Sequence, residues 1–197
     1  ASDVYKRQVD FLDPMCGCGT ILIEAAMIAG NIPPNLHRSS FAFEKWNDWD
    51  QELFNIIEES LTKKINKINC KIFGYDISNV MIRKCKKNIE ESDIDFKINV
   101  ETRDFFKSKK HNKERLLIIV NPPYDKRIPT DFKSFYSDIG NNLKRNYDNT
   151  SSWIFTANMD AIKCIGLRTS KRIKLFNSSL ESRFLNYQIY SGSKKVK

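Results

Sequence analysis

Histidine, metal-ligand pairs and long apolar runs are scarce or absent in this sequence. The chain has only two histidines, His37 and His111, and each stands alone in a polar stretch. Cys16 and Cys18 are close enough in sequence to suggest a ligand pair. No second Cys/His pair with ligand spacing accompanies them, which argues against a metal site. No apolar run is long enough to span a bilayer. We therefore expect no bound metal and no membrane segment.

Cysteines are present, but nothing in the sequence indicates disulfides. All five lie in or beside hydrophobic segments, and no signal peptide precedes them. This usage is typical of reduced thiols and predicts a cytoplasmic protein. The five residues are Cys16, Cys18, Cys70, Cys85 and Cys164.

Acidic side chains are fewer than basic ones. The chain has 33 Lys and Arg against 24 Asp and Glu, which gives a net charge of +9 and a pI of about 9.3. This excess favours an anionic partner, although many solvated surfaces also carry surplus lysine. With 197 residues, of which 41% are hydrophobic, the chain can bury one core.

The order of the predicted elements indicates one domain over residues 9–192. The first predicted strand follows the start of the chain almost at once, so residues 1–8 are interpreted as a leader, and native and non-native origins both stay open for it. Residues 193–197 are interpreted as a basic tail. We also expect that sequence upstream of Ala1 is missing.

Apolar runs alternate with helical patterns along the chain. The first run, 9–13, stops at Pro14, and the helix predicted over 21–29 stops at Gly30. Helix caps are predicted at Thr20, Asp50, Ser78 and Asp160. Further strands are predicted at 71–76, 96–100, 116–120, 153–156, 172–176 and 184–190. Helical crossovers between strands predict an α/β fold, with a parallel sheet covered by helices on both faces.

An aromatic segment interrupts this alternation at residues 35–49. Its rings are Phe41, Phe43, Trp46 and Trp49. We favour an insertion pinned onto the core by these rings over a base-stacking platform, because buried aromatic side chains are common. The helix after it has apolar residues at helical spacing, namely Leu53, Ile56, Ile57, Leu61 and Ile65.

Four polar residues fall at the ends of predicted strands: Asp13, Asp76, Asp104 and Asn121. Ligands of open α/β sheets bind beyond the carboxyl ends of the strands, so this coincidence predicts the site. Gly17 and Gly19 lie between the first strand and its helix, where missing side chains let the backbone turn and approach a ligand. A plain tight turn is the alternative interpretation of these two glycines.

Asp76 and Asp104 have different candidate roles at this edge. A carboxylate at the end of the second strand can accept hydrogen bonds from both hydroxyls of a ribose, which we favour for Asp76. The alternative is an acid stabilised by the dipole at a helix N-terminus. Asp104 could accept from the amino group of an adenine, or it is a solvated acid in a turn.

The segment Asn121-Pro122-Pro123-Tyr124 is the sharper signal. Two prolines fix φ and remove two backbone donors, so carbonyl acceptors are left beside the Asn121 amide oxygen. This corner can accept both N–H bonds of an exocyclic base amine and aim its nitrogen at an electrophilic methyl group. Tyr124 can stack on a flipped base. A structural Pro-Pro turn is the alternative.

These segments resemble the class I S-adenosylmethionine-dependent methyltransferases that modify amino groups of bases. More narrowly, they resemble the THUMP-associated guanine-N2 methyltransferases of large-subunit ribosomal RNA. The matching stretches are DPMCGCGTILIEAAMIAGNIPP, FAFEKW, GYD, RDFF, NPPY, FYSDIGNNLK and residues 171–177. The resemblance covers roughly residues 9–190, and FAFEKW is its narrower marker.

The resemblance implies a Rossmann-like, mostly parallel sheet of seven strands with an antiparallel last strand. It implies S-adenosylmethionine as cofactor, RNA as partner and an RNA-capturing THUMP domain upstream. The implied cofactor residues are Asp13, Pro14, Cys16, Gly17, Gly19, Thr20, Asp76 with Ile77, and Asp104. The implied amine-holding residues are Asn121, Pro122, Pro123 and Tyr124. Cys18 departs from the family by standing where Ser is more usual, which a small residue should allow.

Three other functions remain open at this point. NPPY also occurs in adenine-N6 DNA methyltransferases and in protein glutamine methyltransferases. The FAFEKW insertion argues against the first, and glutamine methylation leaves the net charge of +9 without a use. A catalytically silent RNA-binding module is the third alternative, against which the intact NPPY corner argues.

Overall fold

A computed structural model describes residues 9–36, 38–94, 96–123 and 131–191. One sheet of seven strands runs through these residues in the order β3-β2-β1-β4-β5-β7-β6. The strands are β1 (Asp10–Asp13), β2 (Ile72–Asp76), β3 (Ile98–Thr102), β4 (Leu116–Val120), β5 (Thr150–Thr156), β6 (Lys171–Asn177) and β7 (Leu180–Ile189). β1 to β5 pair in parallel, and β7 pairs antiparallel with both β5 and β6. The predicted mostly parallel seven-stranded sheet with an antiparallel last strand is confirmed.

Helices connect the parallel strands, except between β3 and β4, where the connection contains a single 3-10 turn (Phe105–Lys107). They are α1 (Thr20–Gly30), α2 (Gln51–Thr62), α3 (Asn79–Glu91), α4 (Phe132–Asn146) and α5 (Met159–Cys164). None of the helices in the described part of the chain combines the length and apolarity that crossing a bilayer demands. The proposed leader 1–8 and tail 193–197 lie outside the described residues.

Two buried clusters lie on the two faces of the sheet. Successive side chains of a strand point to opposite faces, so Leu12 belongs to one cluster and Phe11 to the other. Residues of α4 and α5 cover the first face, and residues of α1 and α3 cover the second. β4 reaches both faces, which explains its uninterrupted apolar sequence.

The helix ends confirm two predicted caps and correct the others. Asp50 and Ser78 accept hydrogen bonds from the backbone of the first turns of α2 and α3. The two wrong caps are Thr20, which is already helical behind Gly19, and Asp160, which lies in the first turn of α5 while Asn158 caps it. At the end of α1, Gly30 is still helical, and Asn31 takes the left-handed conformation at φ 53°. Asn can adopt this conformation because its short polar side chain costs little there.

The aromatic insertion does not join the main core. The rings of Phe41, Phe43, Trp49 and Phe54 pack on one another, with Phe41 and Phe43 stacked at 4.9 Å between centroids. α2 has no buried residue, and Ile56 is 64% exposed. The prediction that rings pin the insertion onto the core is therefore wrong. Helical spacing identifies an apolar face but does not say what that face contacts.

Candidate cofactor and substrate site

The predicted site residues follow strands that end at the same edge of the sheet. Asp13 is the last residue of β1 and Asp76 the last of β2. Asp104 lies two residues beyond β3, and Asn121 comes directly after β4. β1 has β2 on one side and β4 on the other, so the strand order reverses there. This reversal is the topological switch point at which open α/β sheets bind their ligands.

The glycine turn between β1 and α1 uses positive φ at both glycines. Gly17 has φ +53° and Gly19 has φ +90°. A Cβ atom on Gly19 would lie 2.5 Å from Cys85 Sγ, so the turn packs directly on α3. A Cβ atom on Gly17 would have Met81 Cε as its nearest neighbour, at 3.9 Å. Gly19 thus serves close packing, whereas Gly17 leaves space above the turn.

Asp76 joins the glycine turn to the end of β2. Its Oδ2 accepts from the Gly17 N–H at 3.0 Å, and its Oδ1 accepts from the Ser78 N–H at 2.8 Å. Each carboxylate oxygen has a second lone pair, so the fixed carboxylate can accept further bonds from a diol. The next side chain, Ile77, is 75% exposed and offers an apolar surface beside it.

Asp13 lies beneath the turn. It is only 1% exposed, and its Oδ1 accepts from the Met15 N–H at 3.1 Å. Burial, partly opposed by this hydrogen bond, raises the pKa of Asp13 to about 7, and the nearby Asp76 charge adds to the rise. The sequence did not predict a carboxyl group that is partly protonated at neutral pH.

The remaining residues of this segment differ in exposure. Pro14 and Cys16 are buried, whereas Thr20 is exposed at the start of α1. Cys16 contacts Cys85, and a hydrogen bond with that thiol, together with burial, raises the pKa of Cys16. A buried, protonated thiol is a poor metal ligand. In the ranges that the structure describes, no group of three or more His, Cys, Asp or Glu side chains could hold a metal ion.

Asp104 occupies a short turn after β3. Its Oδ1 accepts from the Phe106 N–H at 2.9 Å, and its Oδ2 lies 3.7 Å from Lys107 Nζ. The preceding residue, Arg103, donates its N–H to the Asp76 carbonyl at 3.0 Å, which places Asp104 beside the end of β2. These contacts fit the second of the two predicted roles, an acid in a turn. The adenine contact stays a prediction.

The Pro-Pro corner continues β4 at the same edge. Val120 is buried and paired with Ile154, and Asn121 directly after it is exposed. Pro122 is buried and Pro123 is half-buried, so the corner is anchored below the exposed amide. Tyr124 lies outside the described residues.

One hydrogen bond that supports the glycine turn was not predicted from the sequence. The Asn88 Nδ2 donates to the Cys18 carbonyl at 2.9 Å, across 70 residues of chain. Together with the Gly19–Cys85 contact, it fixes the turn against α3. An asparagine within an otherwise helical pattern carries no signal of such a partner.

The strand order, the glycine turn and the acid at the end of β2 together define a methyltransferase domain of the class I type. The family described as "RMKL-like, methyltransferase domain" matches residues 3–186. The chain belongs to this family, which confirms the resemblance drawn from its motifs.

Similar proteins agree with this assignment. A ribosomal RNA large subunit methyltransferase K/L from Hahella chejuensis is 35% identical over 191 residues, covering 92% of this chain and 26% of that protein. The crystal structure of SMU.472 with bound SAH superposes with a TM-score of 0.83 at 28% identity, covering 95% of this chain and 50% of that one. A predicted N6-adenine-specific DNA methylase from Listeria monocytogenes superposes with a TM-score of 0.76 at 25% identity, covering 92% and 47%. The chain therefore spans about a quarter of the length of the curated relative.

Proposed function

We propose that this domain uses S-adenosylmethionine to methylate an exocyclic base amine in RNA, and that the base is a guanine of large-subunit ribosomal RNA modified at N2. The observation that carries the proposal is the glycine turn bonded to Asp76 at the edge where Asn121 follows β4. The rRNA methyltransferase relative supports the substrate class, and the family motifs support N2 of guanine.

The cofactor half of the site comprises the turn and the ends of β1 to β3. Asp76 accepts hydrogen bonds from the ribose hydroxyls, while the backbone N–H groups of Gly17 and Ser78 hold its carboxylate in place. Gly17 leaves room for a ligand beside the backbone, and Ile77 and Asp104 flank the adenine. The bound cofactor supplies a methyl group on a cationic sulfonium. The SAH bound to SMU.472, which this chain resembles over 95% of its length, supports this assignment.

The amine half of the site comprises the corner after β4. The Asn121 side-chain oxygen and the Pro122 carbonyl accept hydrogen bonds from the two N–H groups of the base amine. The amine is a poor nucleophile while its lone pair conjugates into the ring, and this positioning favours a pyramidal nitrogen aimed at the methyl group. No strong general base is required, because the nitrogen becomes positive as its bond to the methyl group forms and the carbon–sulfur bond breaks, and the acidified proton then passes to water. Tyr124 stacks on the extruded base.

Replacement of Asn121 tests this assignment of roles. In the full-length protein, Asn121→Ala should depress turnover far more than it weakens binding of S-adenosylmethionine. Asn141→Ala is the matched control, since Asn141 is an exposed asparagine on α4. Single-turnover methyl transfer and calorimetry separate the two effects. A methylation rate near that of the unmodified protein would leave the Pro-Pro corner as a structural turn.

Adenine-N6 methylation of DNA is the second candidate, favoured by the NPPY motif and by the likeness to the Listeria methylase. Transfer of a radiolabelled methyl group to rRNA and DNA side by side distinguishes them. Label in N2-methylguanine of RNA supports the first proposal, and label in N6-methyladenine of DNA supports the second.

We also propose that an RNA-capturing THUMP domain in the same polypeptide delivers the substrate. The support is the family resemblance and the fact that the chain spans 26% of its rRNA methyltransferase relative. The full-length open reading frame tests this proposal directly, and a reading frame without such a domain would contradict it.

A further inference from the structure

The hairpin of β6 and β7 extends past the edge of the sheet where the site lies. Thr156, the last residue of β5, pairs with Arg183 of β7. β7 begins three residues earlier, at Leu180, which pairs with Asn177 of β6. At about 3.4 Å per residue, the hairpin projects roughly 10 Å beyond the end of β5. The projecting part lies at the same edge of the sheet as the Pro-Pro corner after β4.

A cavity of about 420 Å³ lies between α5 and the base of this hairpin. Its apolar lining comes from Met159, Ile162, Leu167 and Leu185. Three cationic side chains also line it: Lys163, Arg172 and Arg183. An apolar floor with a basic rim suits a planar base attached to a phosphate.

The segment that builds this region is basic. Residues 159–183 contain six Lys and Arg against two Asp and Glu, a net charge of +4 out of the +9 of the whole chain. By contrast, a cavity at the start of β3 is lined by two lysines and two glutamates, namely Lys86, Lys97, Glu90 and Glu101. Of these two cavities, the first has the charge to attract a polyanion.

The acids near the basic rim neutralise it incompletely. Glu181 forms ion pairs with both Arg183, at 2.6 Å, and Lys174, at 2.5 Å. Lys163 faces Asp160 at 3.7 Å, in a pair that is largely exposed. Arg172 donates through Nε to Thr169 Oγ1 at 2.9 Å, and no carboxylate in the described ranges lies within ion-pair distance of it. Arg172 is thus the cation best placed to receive a phosphate.

The register places this cavity near the proposed amine site. Val120 at the end of β4 pairs with Ile154 of β5, which pairs with Leu185 of β7. Leu185 lines the cavity and lies opposite Arg172 on β6. Adjacent strands are about 4.8 Å apart, so the cavity begins about 10 Å from the end of β4. This separation is within reach of nucleotides that flank an extruded base.

We propose that this cavity is a subsite for a nucleotide next to the methylated one, and that the projecting hairpin is an RNA-binding arm. This inference rests on the proposed function. Arg172 and Lys163 bind the phosphate, and the base packs on Met159 and Leu167. At the tip, Phe176 is 63% exposed and offers its ring to a further base. Lys174 Nζ, which is paired with Glu181, lies 5.2 Å from the centre of that ring.

Reversing one charge in the proposed subsite, and one charge near the opposite edge strand of the sheet as a control, tests the subsite. The measurement is fluorescence anisotropy of a labelled single-stranded RNA oligonucleotide binding to this chain at several salt concentrations. Arg172→Glu should weaken binding by about tenfold and lower the salt slope by about one. Lys97→Glu is the control, since it makes the same change of charge at the other end of the sheet, and its effect should be threefold at most. Equal weakening by both variants would show that net charge alone binds RNA and would overturn the subsite.

Further variants keep the test independent of folding and of the proposed catalysis. Arg172→Gln and Phe176→Ala, both at exposed β6 positions, should also weaken RNA binding. The affinity for S-adenosylmethionine, measured by calorimetry, should be unchanged in each variant. Full RNA affinity in Arg172→Gln, Arg172→Glu and Phe176→Ala overturns the subsite but leaves the proposed function intact. Failure of the unmodified protein to bind S-adenosylmethionine would instead contradict the proposed function.

Discussion

Replacing Gly19 by alanine should destabilise the domain through two separate effects. The first is conformational, because Gly19 has φ +90° and ψ 9°, where an L-residue costs about 1–2 kcal/mol. The second is steric, because the new Cβ would lie 2.5 Å from the Sγ of the fully buried Cys85. Overpacking of this kind costs about 1–3 kcal/mol. The free energy of unfolding should therefore fall by about 2–5 kcal/mol, a large part of the stability of a small domain.

Two further variants separate these effects. Gly17→Ala carries only the conformational cost, about 1–2 kcal/mol, since its Cβ would meet nothing nearer than Met81 Cε at 3.9 Å. Cys85→Ala removes the clashing sulfur, so the Gly19→Ala/Cys85→Ala double variant should recover most of the steric part. The coupling energy of this cycle should be about 1–3 kcal/mol in favour of the double variant.

Urea denaturation followed by circular dichroism measures all five proteins, namely the unmodified domain, the three single variants and the double variant. The free energies of unfolding should rank the unmodified domain first, Gly17→Ala next and Gly19→Ala last. If Gly17→Ala and Gly19→Ala cost the same, and Cys85→Ala shows no coupling, then contact with α3 is not what requires glycine at position 19.

Two other predictions concern the carboxylates of the site. Because burial raises the pKa of Asp13 to about 7, its stabilising contribution is complete below about pH 4 and is lost as pH rises through about 7. Urea midpoints of the unmodified domain should therefore fall relative to Asp13→Asn across this window, and parallel curves would contradict the raised pKa. Asp76→Ala should weaken S-adenosylmethionine binding by about 1.5–3 kcal/mol for each ribose hydrogen bond removed. Calorimetry that shows unchanged affinity would refute the ribose assignment.

The positions of the site residues at this edge of the sheet could largely be predicted from the sequence, because the end of a strand is determined by residues adjacent in the chain. An apolar run that stops at an acid or an asparagine marks the end of a strand, and parallel strands place such ends together. The order of strands and helices therefore fixed where Asp76 and Asn121 would lie, before any contact between them was known. Caps such as Ser78 were equally local, since a hydroxyl bonds the backbone three residues on.

The features that sequence reasoning missed depend on contacts between distant segments. Gly19 meets Cys85 across 66 positions of the chain, and no local pattern reports that a helix passes so close. The burial of Asp13 likewise depends on the packing around β1 rather than on its own neighbours in sequence. Local rules predict which residues reach the edge, whereas packing decides which of them contact a ligand and which support the turn beneath.

The proposed cofactor and RNA contacts lie on opposite sides of the corner after β4. The glycine turn and Asp76 belong to the β1–β3 side, and Arg172 belongs to the hairpin beyond β5. Because sites that share no contacting residues have nearly additive effects, variants on one side should leave the affinity on the other unchanged. Asn121, at the boundary, contacts the base amine and acts mainly on the rate at which the two bound groups react. Affinity for each ligand and the rate of methyl transfer should therefore vary independently across the three positions, since methyl transfer alone needs both sides to be aligned at Asn121.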